Sequence, residues 1–250
     1  MIRLVRAELT KLATTRLIYG MAAAMAAFAV LVVVALMTTP DMEGNPPLSA
    51  DSLPMFVAAP VTLLSGAALL LGILGMAGEF RHQTITGTFL VTPDRGRVVA
   101  AKLVAYPLAG IALTLTILAF TAAVATGWLA AKGITPSLLH ARVVGQVLLG
   151  AVLAAGLCAL VGVGVAALIR NQVAALVGVA VWVLVVEGLL MSLLQAPSSL
   201  AKWLPSAAAA ALTNPGGGHL SRLAGALLLA GYALALALAG TRLVVRRDIT

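Results

Sequence analysis

Residues 143–194 read VVGQVLLGAVLAAGLCALVGVGVAALIRNQVAALVGVAVWVLVVEGLLMSLL. No charge occurs from Val143 to Ile169. A bare Arg170-Asn171-Gln172 follows, and Glu187 is the one ionisable residue in the remainder. A helix needs about 20 apolar residues to cross a bilayer. The stretch therefore predicts two spanning helices joined by a tight turn. Periodicity alone would not exclude strands, but backbone groups in hydrocarbon must be satisfied within each segment, and that requires helices.

The rest of the chain repeats this pattern. Apolar residues make up 62% and charged residues 10% of 250 positions, against roughly 45–50% and about 25% in ordinary soluble domains. A soluble fold of this composition would expose large apolar patches. Further uncharged runs lie at about 17–38, 53–77, 98–127 and 223–241, which with 143–169 and 173–194 make six spans. Pro54 and Pro60 fall in the opening turns of the second, and the third is long enough to tilt or to extend into water. No polar stretch is long enough for a separate soluble domain, so residues 1–250 form a single transmembrane domain. The fold class expected is an all-α membrane protein. Charges from Arg3 to Arg16 and the long apolar run after them argue against a cleavable signal peptide. Cys158, the single cysteine, lies in an apolar run and reads as a small buried residue.

Loop charges alternate. One set of segments holds Arg3, Arg6, Lys11, Arg16, Arg81, Arg95, Arg97, Lys102, Arg170, Arg242, Arg246 and Arg247. The other holds only Lys132, Arg142, Lys202 and Arg222. Positive residues favour the cytoplasmic side, so both termini are expected there, in the cytoplasmic membrane of the cell. The net charge of +8 is then mainly a topology signal. Scattered cations without interleaved aromatics give no support to nucleic-acid binding.

Ile2, Val5, Leu9 and Leu12 share one stripe at helical spacing, with Arg3, Arg6, Glu8 and Lys11 elsewhere on the circle. Residues 2–15 are thus expected to form an amphipathic helix in the cytoplasmic interface, its stripe in lipid and its cations near anionic headgroups. Arg16, on the apolar stripe, predicts a break before the first span. On the outer side, Pro205 followed by SAAAAAL reads as a short helix, ended by Asn214-Pro215-Gly216.

Catalytic machinery is missing. No Gly-Lys dipeptide occurs, which removes a phosphate-binding P-loop, and neither HExxH nor GxSxG is present. His82, His140 and His219 are far apart, so no histidine metal site is expected. The chain reads as a non-enzyme with no cofactor of its own.

The informative loop is 78–102, GEFRHQTITGTFLVTPDRGRVVAAK. Glu79 to Thr86 can form two turns of helix with Gly87 as a hinge. It would expose Phe80, Thr84 and Ile85 beside Glu79, Arg81 and His82, with Thr88 and Phe89 following. A mixed surface of this kind suits docking of a soluble protein; a solvated connector that only fixes topology is the other reading. Thr92 would cap the next helix, Pro93 would take its first position, and Asp94 would complement its positive end ahead of Arg95.

These features resemble the permease subunit of type-2 ATP-binding-cassette exporters. That family combines an N-terminal interfacial helix, six spans and, after the second span, a loop similar to E-x-x-x-x-T-x-x-G-T-x-x-x-x-x-P-x-R. The matching residues are Glu79, Thr84, Gly87, Thr88, Pro93 and Arg95, with four residues instead of five between Thr88 and Pro93, followed by Lys102. The RAELTKL segment, the Asn171-Gln172 turn and Trp203-Leu204-Pro205 look similar too. The resemblance implies a coupling helix centred on Glu79 to Phe89 that fits a cleft on a separate ATPase. It also implies ATP and magnesium bound by that partner, a second permease subunit of the same or a homologous chain, and export of a substrate. Walls of Ala, Val, Leu and Gly suit an amphipathic or lipophilic cargo.

Glu187 is a candidate on the substrate path, since an intramembrane carboxylate is a functional residue by default. It could bind a cationic substrate, carry a proton, or hydrogen-bond a neighbouring helix as its neutral acid. A secondary transporter or channel built on Glu187, or a non-transporting scaffold, are the alternatives to the energised permease.

Overall fold

A computed structural model describes residues 1–40, 42–193, 200–213 and 220–246. Among them there is no strand. Six helical stretches are long and apolar enough to cross a membrane: Arg16–Thr38, Ala50–Arg81, Arg95–Ala131, Leu138–Ile169, Gln172–Leu193 and Arg222–Val245. The chain thus has the architecture of a multi-pass membrane protein.

The helices follow from the sequence with adjusted ends. Helix α1 (Ile2–Thr14) is broken from α2 (Arg16–Thr38) by extended backbone at Thr15, one residue before the position that Arg16 marks. The second span opens with the turn Ala50–Ser52 and α3 (Leu53–Ala58), then restarts after Pro60 as α4 (Val61–Arg81). Pro60 has no N–H to continue a ladder, so the restart falls there. A short α5 (Thr84–Val91) precedes α6 (Arg95–Ala131). At 37 residues α6 is about 55 Å long, well beyond the hydrocarbon core. Helix α7 (Leu138–Ile169) meets α8 (Gln172–Val181) at the 170–171 turn, where Arg170 takes a left-handed conformation. A π-helical segment, Trp182–Val186, leads into α9 (Glu187–Leu193). A short helix α10 (Pro205–Thr213) and the last span, α11 (Arg222–Arg246), complete the described bundle. The expected outer turn at 214–218, the end of the fifth span at Leu194, His219 and Arg247 lie outside the described residues.

Helix α7 is the centre, packed on α4, α6, α10 and α11. Small residues make this possible. A Cβ on Gly162 would strike the Leu69 carbonyl oxygen of α4, and one on Gly72 would strike the Ala159 carbonyl oxygen of α7. Gly150 stands in the same relation to Leu212 of α10. Without a hydrophobic force between helices in lipid, such close backbone approach supplies the packing. By contrast, α2 buries only Ala29, Val33 and Met37, one stripe at four-residue spacing. The fifth span is 11% buried against 56% for α7. Those two spans turn most of their apolar surface outward.

The ends of the bundle are distinct. At one end Glu8 of α1 meets Lys102 of α6. There too Arg170 donates to the Leu243 carbonyl and lies over the Phe80 ring, 5.9 Å from its centroid, and Gly96 stands beside Val245. The basic segments and both described ends of the chain are therefore neighbours. At the opposite end Asp51 pairs with His140 at 2.8 Å, linking the segment before α3 to the start of α7.

Candidate functional site: a buried ion cluster beside a short helix

Helix α1 places Glu8 and Lys11 three residues apart on the face turned to the bundle. Glu79 occupies the last turns of α4, and Lys102 the early turns of α6. Their side chains converge. Lys102 Nζ donates to Glu8 Oε2 at 2.6 Å, to Glu79 Oε1 at 3.0 Å and to the Gly75 carbonyl at 3.3 Å. Those three acceptors match the three donors of an ammonium. Lys11 Nζ donates to Glu8 Oε1 at 2.7 Å and to Glu79 Oε1 at 2.9 Å. The Lys102 side chain is 0% exposed and that of Glu8 5%. The Tyr106 ring lies 5.5 Å from Lys102 Nζ and fills the space that a side chain at Gly75 would take.

Two carboxylates and two ammoniums leave the cluster neutral, the arrangement that makes buried charge tolerable. Burial pushes the Glu8 carboxyl up, but Lys102 and Lys11 outweigh it and hold the group below its ordinary range. Burial likewise lowers Lys11, and its hydrogen bonds to Glu8 and Glu79 reverse the sign and raise it. Oε2 of Glu79 is buried without a hydrogen-bond partner. The cluster is thus well satisfied everywhere except on the residue nearest the loop.

That loop differs from its sequence expectation. The two turns expected over Glu79–Thr86 with a hinge at Gly87 are replaced by a break at His82–Gln83, where Gln83 has a φ of 55°. Gly87 is helical, in the middle of α5. The physical reason is that Glu79 is held by Lys102, so α4 continues until its last ion-paired turn is complete. The exposed face also changes. Ile85 is 2% exposed and anchors α5, and Phe80 packs into the core beside Arg170. Glu79 points into the cluster. Arg81, His82, Thr84 and Gly87 are exposed, Thr88 is half-buried, and Leu90 is 80% exposed. Phe89 lies in α5 by its backbone, and its side chain falls outside the described residues.

The cap shifts as well. Thr92 ends α5, Pro93 precedes the cap, and Asp94 is the N-cap of α6, accepting from Arg97 N at 3.1 Å. Arg95 occupies the first helical position expected for Pro93. Asp94 wins over Thr92 because its carboxylate both accepts from the backbone and pairs with Arg97 at 3.1 Å. Between α1, α5 and α6 lies a groove of about 370 Å³ lined by Leu4, Glu8, Lys11, Thr84, Thr88 and Val98, among others.

Glu187 is far from this end and 3% exposed. Its Oε1 accepts from Trp182 Nε1 at 2.7 Å and its Oε2 from Ser206 N at 3.3 Å. Both oxygens are used, and the contact joins the fifth span to the start of α10. The π-helical segment brings Trp182 onto the side of its own helix that faces Glu187, five residues on.

Sequence reading found Glu79 and Lys102 but not their partners. Glu8 and Lys11 lie off the apolar stripe of α1, and Lys102 falls inside an apolar helix; together these were the available signal that α1 folds back onto the third span. Compared with protein-family models and with curated proteins, the chain matches none.

Proposed function

We propose that this chain is the permease subunit of an ATP-binding-cassette exporter, set in the cytoplasmic membrane with the α1–α5 end in the cytoplasm. The observation that carries the reading is the attachment of α5. An eight-residue helix hangs from the end of a span by one buried side chain among those described, Ile85, and holds Leu90 outward. Arg81, His82 and Arg97 stand exposed on the flanking segments. An exposed apolar knob with a basic rim suits an acidic-edged cleft on a soluble partner. The sequence has no P-loop of its own, so in this reading the partner is the ATPase, which would bind ATP and magnesium.

Force applied to α5 reaches α4 within a few residues, at Glu79. From there the ion cluster joins α6 and α1. A partner whose closure pulls α5 would thus shift two spans and the interfacial helix together, as alternating access requires. The outward apolar faces of α2 and the fifth span are free for lipid or for a second permease subunit. An amphipathic or lipophilic cargo suits walls of this composition.

The test is co-purification of the chain with a candidate ATP-binding-cassette ATPase from the same cell, and of a Leu90→Asp, Arg81→Glu variant that leaves Ile85 and Glu79 intact. Loss of ATPase binding, with normal membrane insertion, is the expected result. Unchanged binding would reject α5 as the coupling element. The second reading, ion-driven transport through Glu187, rests on that buried carboxylate. It requires flux without ATP that Glu187→Gln abolishes, and ATP-dependent transport indifferent to that change rejects it.

A further inference from the structure

Helix α1 has three faces. Its inner face carries Glu8 and Lys11 into the ion cluster. A second face carries Ile2, which is 86% exposed, with Val5 and Leu9 half-buried beside it. The third is basic and open, with Arg3 and Arg6 both exposed. An exposed apolar edge flanked by arginines is complementary to a bilayer surface that contains acidic phospholipid. Helix α1 is therefore held from inside by buried ion pairs, while its apolar edge and arginines stay open on the outside.

Helix α5 is weakly held. Ile85 is its one buried side chain among the described residues, and its Thr84, Gly87 and Thr88 line the groove opposite Leu4, Ala7 and Lys11 of α1. Elements with few buried contacts open locally at low cost. Their order then depends on their neighbours. Besides α4 and α6, on which α5 packs, α1 lines the groove beside it and reaches Glu79, near the end of α4, through Lys11 at 2.9 Å and through Glu8 and Lys102.

We infer that acidic phospholipid bound along the basic face of α1 orders α5, the signal passing through Glu8 and Lys11 to Glu79 and Lys102. Lipid that binds the docked position of α1 better than the undocked one shifts the population toward it. Docked α1 completes the cluster, the cluster fixes the last turn of α4, and that turn sets where α5 begins. The inference goes beyond the permease reading and needs no partner protein.

The experiment reconstitutes the full chain in nanodiscs of phosphatidylcholine alone or mixed with phosphatidylglycerol. Amide hydrogen exchange is followed in segments 2–14 and 84–91. Phosphatidylglycerol should slow exchange in both. Each basic residue near an acidic surface contributes about 1 kcal/mol, so Arg3 and Arg6 together account for roughly thirty-fold in segment 2–14 at low salt. Arg3→Gln with Arg6→Gln, two exposed positions, should cancel the lipid effect in both segments. Glu8→Gln should leave it in 2–14 and cancel it in 84–91. Should that variant fail to fold, Lys11→Gln, at a half-exposed position, makes the same separation.

A lipid effect confined to 2–14 in the wild-type chain would make α1 a passive anchor and overturn the inference. So would an effect that survives the double arginine substitution. Glycerol 3-phosphate added to phosphatidylcholine discs should do nothing; if it reproduced the effect, a soluble phosphate site would replace the bilayer surface.

Discussion

At the scale of single residues, Lys102 decides most. It has no exposure, and its three donors are all used by Glu8, Glu79 and Gly75. Lys102→Met would leave two buried carboxylates to share Lys11. Removing one partner of a buried ion pair costs about 3–5 kcal/mol. The expected outcome is a loss of that size in denaturant unfolding in detergent. Adding Glu79→Leu to Lys102→Met should recover part of it, because opposite charges then leave together; a double variant less stable than the sum of the singles would contradict the pairing.

The same cluster sets a pH dependence. Glu8 is held below its ordinary value of 4.5, so its contribution is complete above 4.5 and disappears as the pH falls through the depressed value. Lys11 is raised above its ordinary 10.5, so its contribution is complete below 10.5 and disappears as the pH climbs through the raised value. Docking of α1 should therefore be flat across neutral pH and fail in acid and in strong alkali. A spin label on Thr10→Cys in a Cys158→Ala background measures it, and a mobility change centred near neutrality would speak against these pairs.

At the scale of elements, two contacts illustrate different causes. The α4–α7 contact is steric. Gly72 and Gly162 each face a carbonyl oxygen of the opposite helix, so any side chain forces the backbones apart. Gly162→Val should cost about 1–3 kcal/mol as overpacking, whereas Gly145→Val, at a position with open space, should be close to neutral. Comparable unfolding midpoints for the two would show that the close approach is unimportant. The α4–α5 break is different, because no glycine makes it. Gln83 adopts a left-handed conformation that costs an L-residue about 1–2 kcal/mol. The cost is borne because α4 is held through Glu79 and α5 is anchored separately through Ile85. Sequence reading put the hinge at Gly87, the residue with local freedom, when the long-range contacts of Glu79 and Ile85 had already fixed it four residues earlier.

At the scale of the whole molecule, apolar composition and helix length make a bundle for lipid, and the two ends differ in charge. Single cysteines in a Cys158→Ala background test the orientation. Thr88→Cys and Asn171→Cys should react with an impermeant thiol reagent only in inside-out vesicles. Glu43→Cys and Thr135→Cys should react only in intact cells. Labelling of Thr88→Cys from outside would invert the topology and with it the placement of α5.

What the sequence by itself determined was the set of spans, the break before Arg16 and the short helix from Pro205. These depend on local composition, on proline and on the cost of unsatisfied backbone in lipid, all of which are legible along the chain. What only the tertiary structure decided was the direction in which charged side chains point. Glu79 was legible as a charged loop residue and turned out to be a buried partner of Lys102, 23 positions later, and of Lys11, 68 positions earlier. Glu187 was legible as an intramembrane carboxylate and turned out to hold Trp182 and Ser206. A charge in a helix must find a partner or water, but which partner depends on the packing of helices distant in sequence, and in this bundle small residues on α7 set that packing.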